Sequence, residues 1–234
     1  DNRGPYKTYL KEGARIEHPE DLVFDYGSKG IQQALDGIKR SAEEPAKTNT
    51  VKWDGKPAIV FGRDDSGQFI LTDKGGFVAK GYNGMATSAK DMARVLGNRK
   101  GDYGPLIQLY GKLFPLLDRT IPQHFRGFVQ ADLLYSSTPP VENGAYVFTP
   151  NQVTYRVSDA TPLGKQIGAS EIGIAIHTEI DKPGGTVRPV TSRVLDKAPG
   201  VLVLDSTMKD TGSAINLDKG LVIKIQDTYN EYAP

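Results

Sequence analysis

From Val51 onward the apolar residues of this chain fall into short runs of strand length, separated by turn residues. "AIVFGRD" and "QFILTDK" flank D-D-S-G, whose Asp and Gly supply turn dihedrals, so the spacing predicts a β-hairpin. "RGFVQADLLYS" reads as a buried strand carrying one acid, Asp132. "GAYVFTPNQVTYRVSD" gives two more strands, "EIGIAIHTEI" another, and "PGVLVLDS" and "KGLVIKIQD" the last two. Helical stretches interrupt these runs irregularly. "TSAKDMARVLGNR" opens with a capping box, Ser88 with Asp91, and closes at Gly97. "YGPLIQLYGKLFPLLDRTIP" is apolar around most of its circumference, which predicts a well-buried helix kinked at Pro115. Without regular β-α alternation, the expected fold class is α+β, with mostly antiparallel sheets flanked by helices.

The N-terminal part reads differently. Residues to about Ala14 are polar and expected to be loosely ordered. In "EHPEDLVFDYGSKGIQQALDGIKRSAEE", Ile31, Leu35 and Ile38 recur at helical spacing after a G-S-K-G cap. A phosphate loop is not indicated there, because the G-x-x-x-x-G-K-[ST] pattern is absent. The expected division is therefore an extension with its capping helix over 1–49, then one larger domain over 50–234. The opening Asp is what a trimmed product gives.

Composition narrows the chemistry. Apolar residues make up 38% and charged residues 24%, as in a globular chain. No apolar run reaches membrane-spanning length, so no membrane association is expected, and the start lacks a signal peptide's apolar centre. The absence of cysteine removes disulfides, thiolate catalysis and thiolate-ligated metals, and it suits a reducing compartment. The three histidines, His18, His124 and His177, are too scattered to make a metal site. With 29 basic and 28 acidic side chains, phosphate binding would have to be local. Lys52, Lys56, Lys74 and Lys80 supply such a cluster, or else a solvated hairpin face.

The cluster centres on K-W-D-G-K, a charged group at the head of a buried-looking run. The order K-x-D-G followed by an apolar strand resembles the nucleophile motif of the covalent nucleotidyltransferases, the ATP-dependent DNA and RNA ligases and the mRNA capping enzymes. In that chemistry a neutral lysine amine attacks the α-phosphate of a nucleotide and holds the monophosphate as a phosphoramidate. Cationic neighbours favour the neutral amine, and a glycine lets the backbone turn closely beside the nucleotide. The resemblance implies that Lys52 is the nucleophile, with Asp54 and Gly55 in the nucleotide-binding turn.

The companions follow in order. T-D-K-G-G puts Lys74 where a basic residue meets phosphate or ribose, usually as arginine. F-V-Q-A-D-L-L-Y puts Asp132 where a carboxylate, more often Glu, meets ribose or metal. G-I-A-I-H-T-E-I puts His177 where an aromatic ring stacks on the base. K-G-L-V-I-K resembles the E-G-V-V-I-K motif, with Gly220 and Lys224 matching and Lys219 replacing the metal-binding glutamate. A final K-x-K element would fall beyond Pro234, as in a chain truncated at its C-terminus, or V-I-K-I-Q-D is itself that element. The likeness spans about residues 50 to 225 and is closest from Lys52 to Gly76. It implies ATP as donor, Mg2+ or Mn2+, and a nucleic-acid end as acceptor, while assigning no residue to the metal.

K-W-D-G-K-P-A-I-V-F-G-R-D, G-Y-N-G-M-A-T-S, F-R-G-F-V-Q-A-D-L-L-Y and F-T-P-N-Q-V-T-Y also resemble an uncharacterised family of large tailed bacteriophages, including cyanophages. That likeness implies a host-cytoplasm setting, or association with the virion, and phage proteins as partners. Two readings stay open. One is a ligase-like enzyme; the other is a catalytically inert, ligase-like domain that binds nucleotide or serves as a structural phage component, which Lys219 and the lack of a following OB-fold domain favour.

Overall fold

The computed structural model describes residues 19–43, 50–97, 102–209, 223–224, 227–228 and 230–231. These form two compact units, whose boundary differs from the expected division at 49/50. One unit comprises Trp53–Ser206, and the other gathers the described residues of Arg15–Lys52 and Thr207–Pro234. The polar stretch to Ala14 lies outside the described residues.

In the larger unit the predicted hairpin forms from β2 (Ala58–Arg63) and β3 (Phe69–Asp73), paired antiparallel from Ile59↔Asp73 to Arg63↔Phe69. Asp64 organises its turn, accepting from the backbone N–H of Ser66 and of Gln68, each at 2.9 Å. β4 (Gly127–Tyr135) pairs antiparallel with β2, and β8 (Ser170–Ile180) with β4. β10 (Gly200–Asp205) adds in parallel to β8, while the short β9 (Val187–Pro189) pairs antiparallel with the end of β8. The strand order β10-β8-β4-β2-β3 is therefore antiparallel except at one edge. A separate three-stranded meander holds β5 (Val141–Glu142), β6 (Ala145–Phe148) and β7 (Tyr155–Ser158). This is the α+β, antiparallel-dominated architecture expected from the strand punctuation.

Strand alternation decides which face each helix covers. Ile59, Phe61, Leu71, Val129, Ala131, Leu133, Ile172, Ile174 and Ile176 bury one face with Met92, Leu96, Tyr110, Leu113 and Leu117. Those partners come from α3 (Met92–Gly97) and α4 (Gly104–Asp118). Ser88 Oγ accepts from the Asp91 N–H at 3.2 Å ahead of α3, as the capping box predicts. Pro115 lies inside α4. On the opposite face Val60, Ile70, Phe128 and Ile180 pack with Met85 and with Phe77 of α2 (Lys74–Lys80), a short helix capped by Asp73. Arg63, 4% exposed, closes one end of the sheet. Its guanidinium pairs with Asp118 Oδ1 at 2.7 Å and donates to the carbonyls of Asp118, Ile121 and Pro122 around the α4 C-terminus. The meander is followed by α5 (Pro162–Gly168), capped by Thr161.

In the second unit α1 (Pro19–Glu43) is broken at Gly27, whose φ of 57° and ψ of −134° are non-helical. The break falls at the first residue of G-S-K-G, and Leu35 of the predicted apolar stripe is buried. β1 (Thr50–Lys52) pairs antiparallel with β11 (Thr207–Lys209), Lys52 opposite Thr207. The strand expected over K-G-L-V-I-K-I-Q-D is not found where the chain is described, because Ile223 and Lys224 are helical. Thr228 Oγ1 donates to the Lys224 carbonyl at 2.9 Å, one helical turn back. A short apolar run fits either periodicity, and here the helix prevails.

Candidate functional site

The turn that carries K-W-D-G enters the larger unit at Trp53, whose N–H donates to the Ser206 carbonyl at 3.0 Å. Trp53 is 3% exposed and forms a three-ring cluster with Phe148 (centroids 6.3 Å, nearly parallel) and Tyr155 (4.7 Å), which also touch each other (5.5 Å). Asp54 is held twice. Its N–H donates to the Tyr155 hydroxyl at 2.7 Å, and its Oδ2 accepts from Asn151 Nδ2 at 2.9 Å.

Gly55 then presses onto β4. A Cβ there would stand 2.3 Å from the Leu133 carbonyl oxygen and 3.2 Å from Asp132 Cβ, so no side chain fits without backbone movement. The glycine is needed for close approach rather than for a left-handed dihedral. Leu133 N–H donates to the Pro57 carbonyl at 3.1 Å, and Ala58 then pairs with Asp132. The turn and Asp132 are thereby fixed to each other.

Asp132 has a partner on the neighbouring strand. Ala175 of β8 pairs with Asp132, so His177, two residues on, lies on the face that carries Asp132. Gln130 faces Thr178 while Ala131 faces Ile176, which leaves His177 as the extra residue of a β-bulge after which the strand's alternation shifts by one. Its Nε2 lies 3.0 Å from Asp132 Oδ2, with both side chains mostly buried (13% and 15% exposed). Nε2 and that oxygen are in close contact without meeting hydrogen-bond geometry. The resemblance gave His177 a stacking role; in the structure its nitrogen edge is turned to the carboxylate instead.

Lys74 is exposed and opens α2 rather than ending a strand. It follows Asp73, which pairs with Ile59, itself opposite Ala131. Lys74 thus stands at the same level of the sheet as Asp132, two strands away, or about 10 Å at the usual spacing. Asp54, Gly55, Asp132, His177 and Lys74 share one region of the larger unit. Lys52, exposed, and Lys224 both belong to the other unit, and Lys52 is joined to Trp53 by one peptide bond.

Asn151 and Tyr155 lie in the F-T-P-N-Q-V-T-Y run, to which the sequence assigns no site role. They meet Asp54 from about a hundred positions downstream in the chain, and the T-P-N-Q-V-T-Y run carries no local signal of such a pairing. Burial raises the Tyr155 phenol above its ordinary pKa; the Asp54 and Asp132 carboxylates add to this, and the N–H bond from Asp54 opposes it. The hydroxyl therefore stays protonated through neutral pH.

Over residues 14–233 the chain matches the family described as a family of unknown function, DUF6267. The chain belongs to this family. No curated protein and no solved structure matches it. In this DUF6267 chain no group of three or more His, Asp or Glu side chains suited to a metal ion occurs among the described residues. A depression of about 660 Å³ lies elsewhere on the larger unit, between the end of α5, the 192–199 segment and β10. None of the turn's residues line it, so it is a separate feature.

Proposed function

We propose that this protein is a ligase-like nucleotidyltransferase, in which Lys52 takes a nucleoside monophosphate from ATP and passes it to a nucleic-acid end. The observation that carries the reading is Gly55 seated on the β4 backbone, which gathers Asp54, Asp132 and His177 at the turn directly after Lys52. In the step proposed, neutral Lys52 Nζ bonds to the α-phosphorus while the bond from that phosphorus to the bridging oxygen breaks. Pyrophosphate leaves with the electron pair, and the amine proton passes to solvent. On this reading Asp132, with His177 beside it, meets the ribose hydroxyls, and Lys74 a phosphate.

A divalent cation would supply charge neutralisation on the phosphates. Mg2+ is commonly bound by one or two carboxylates together with substrate phosphates, so Asp132 and Asp54 suit it without an all-protein cage. The setting that goes with this reading is phage-encoded action in a host cytoplasm.

Incubation with each nucleoside triphosphate and Mg2+ or Mn2+ should leave one covalent monophosphate on the chain. The linkage should be acid-labile, as phosphorus–nitrogen bonds to lysine are, whereas a phosphoester on Ser or Thr would survive acid. A second reading, nucleotide binding without transfer, draws on Lys219 standing where the covalent nucleotidyltransferases carry a metal-binding glutamate. A protein that binds nucleotide but stays unlabelled under every metal would support it.

A further inference from the structure

One hairpin holds the K-W-D-G turn at three points. Tyr155, the first residue of β7, accepts the Asp54 N–H and lays its ring on Trp53. Phe148, the last residue of β6, stacks on the other part of that cluster. Asn151, in the link between the two strands, donates to the Asp54 carboxylate. The backbone of Asp54, its side chain and the ring of Trp53 are thus all fixed by residues 148–155. These are the two residues that directly follow Lys52.

We propose that Tyr155 and Asn151 are positioning residues: the β6–β7 hairpin holds the Trp53–Asp54 turn and so sets the placement of Asp54 toward a nucleotide. The physical warrant is that each residue of an unheld turn keeps two soft backbone dihedrals, and a misplacement of about 1 Å can cost a hundredfold in rate. Asn151 contributes an uncharged donor, so it fixes Asp54 without neutralising it. The catalytic part of this proposal rests on the nucleotidyl-transfer reading; the hold on the turn does not.

Trp53 is the only tryptophan and is almost fully buried, so its fluorescence reports the turn with no nucleotide present. Acrylamide quenching should be compared in the wild type, Tyr155→Phe and Asn151→Asp at pH 8. Both variants should keep the wild-type far-UV spectrum, while quenching of Trp53 rises by about twofold as the turn opens locally. Asn151→Asp sets two carboxylates against each other, so its quenching should rise at least as far as that of Tyr155→Phe. Asn151→Ala, on the same exposed loop, gives the same comparison at pH 8 if the Asp variant does not fold.

In nucleotide labelling, each variant should lower the labelling rate at sub-saturating nucleotide by about tenfold, since the placement of Asp54 is altered. Equal quenching in all proteins overturns the proposal whatever the labelling shows. Increased quenching with wild-type labelling rates overturns the positioning role. Increased quenching with no labelling of the wild type itself supports the hold, and removes the nucleotidyl-transfer reading together with the catalytic half of the proposal.

Discussion

Gly55 is a position in the turn where a single added atom has no room. A methyl group there would meet the Leu133 carbonyl oxygen at 2.3 Å, and that oxygen belongs to a central strand that cannot retreat. Gly55→Ala should therefore lower the melting temperature, by an overpacking cost of about 1–3 kcal/mol, and displace the turn from Asp132. Thermal unfolding checks the first effect and nucleotide labelling the second; an unchanged melting temperature would mean that the turn lifts off β4 at little cost. Asp132 differs in kind from Lys52. Asp132→Ala should slow labelling but leave it measurable, because positioning is lost while the nucleophile remains. A loss as complete as that of Lys52→Ala would give Asp132 a larger part than positioning.

Among the elements, those specified locally were the ones readable in advance. D-D-S-G sets the β2–β3 hairpin because Asp64 can bond its own turn, and the Ser88–Asp91 pair sets the start of α3. Ser88→Ala should cost about 1 kcal/mol, the usual value of a lost cap, seen as a lower denaturant midpoint with unchanged slope. What resisted reading depends on partners distant in the chain. The bulge at His177 comes from how β8 registers against β4, and G-I-A-I-H-T-E-I carries no mark of the slip. Lys224 was expected on a strand because G-L-V-I-K is short and apolar, yet it is helical. Tyr135 shows a further device: a second irregularity lets its ring cover Gly173, where a Cβ would come within 2.4 Å of it, and its hydroxyl meets Ser170 Oγ at 2.7 Å.

For the molecule as a whole, Tyr135 also carries a pH signature. Burial pushes its phenol up to about 12, against an ordinary value of 10.0, with the Ser170 bond opposing. A group raised in the folded state holds its proton longer than in the unfolded chain. Stability is therefore unaffected below pH 10, falls as pH rises from about 10 to about 12, and levels off above, by at most about 1.4 kcal/mol per pH unit. Tyr135→Phe should flatten that alkaline decline in urea-unfolding measurements, whereas an unchanged slope would place the effect elsewhere.

The chain crosses between its two units at Lys52–Trp53 and at Ser206–Thr207. The expected nucleophile is thus the last residue of one unit, and the turn that follows it belongs to the other. A sequence motif gives no view of that division, since K-W-D-G reads as one continuous element. Nucleotidyl transfer by this protein depends on the chemistry of that one amine. The direct measurement is intact and peptide-resolved mass spectrometry after incubation with ATP and Mg2+ or Mn2+. It should find one adenylate, located on Lys52, lost in Lys52→Ala and equally in Lys52→Arg, whose guanidinium stays protonated and cannot attack. An adduct that persists in either variant, or a folded wild-type protein that gains no mass with any nucleotide and either metal, would contradict it.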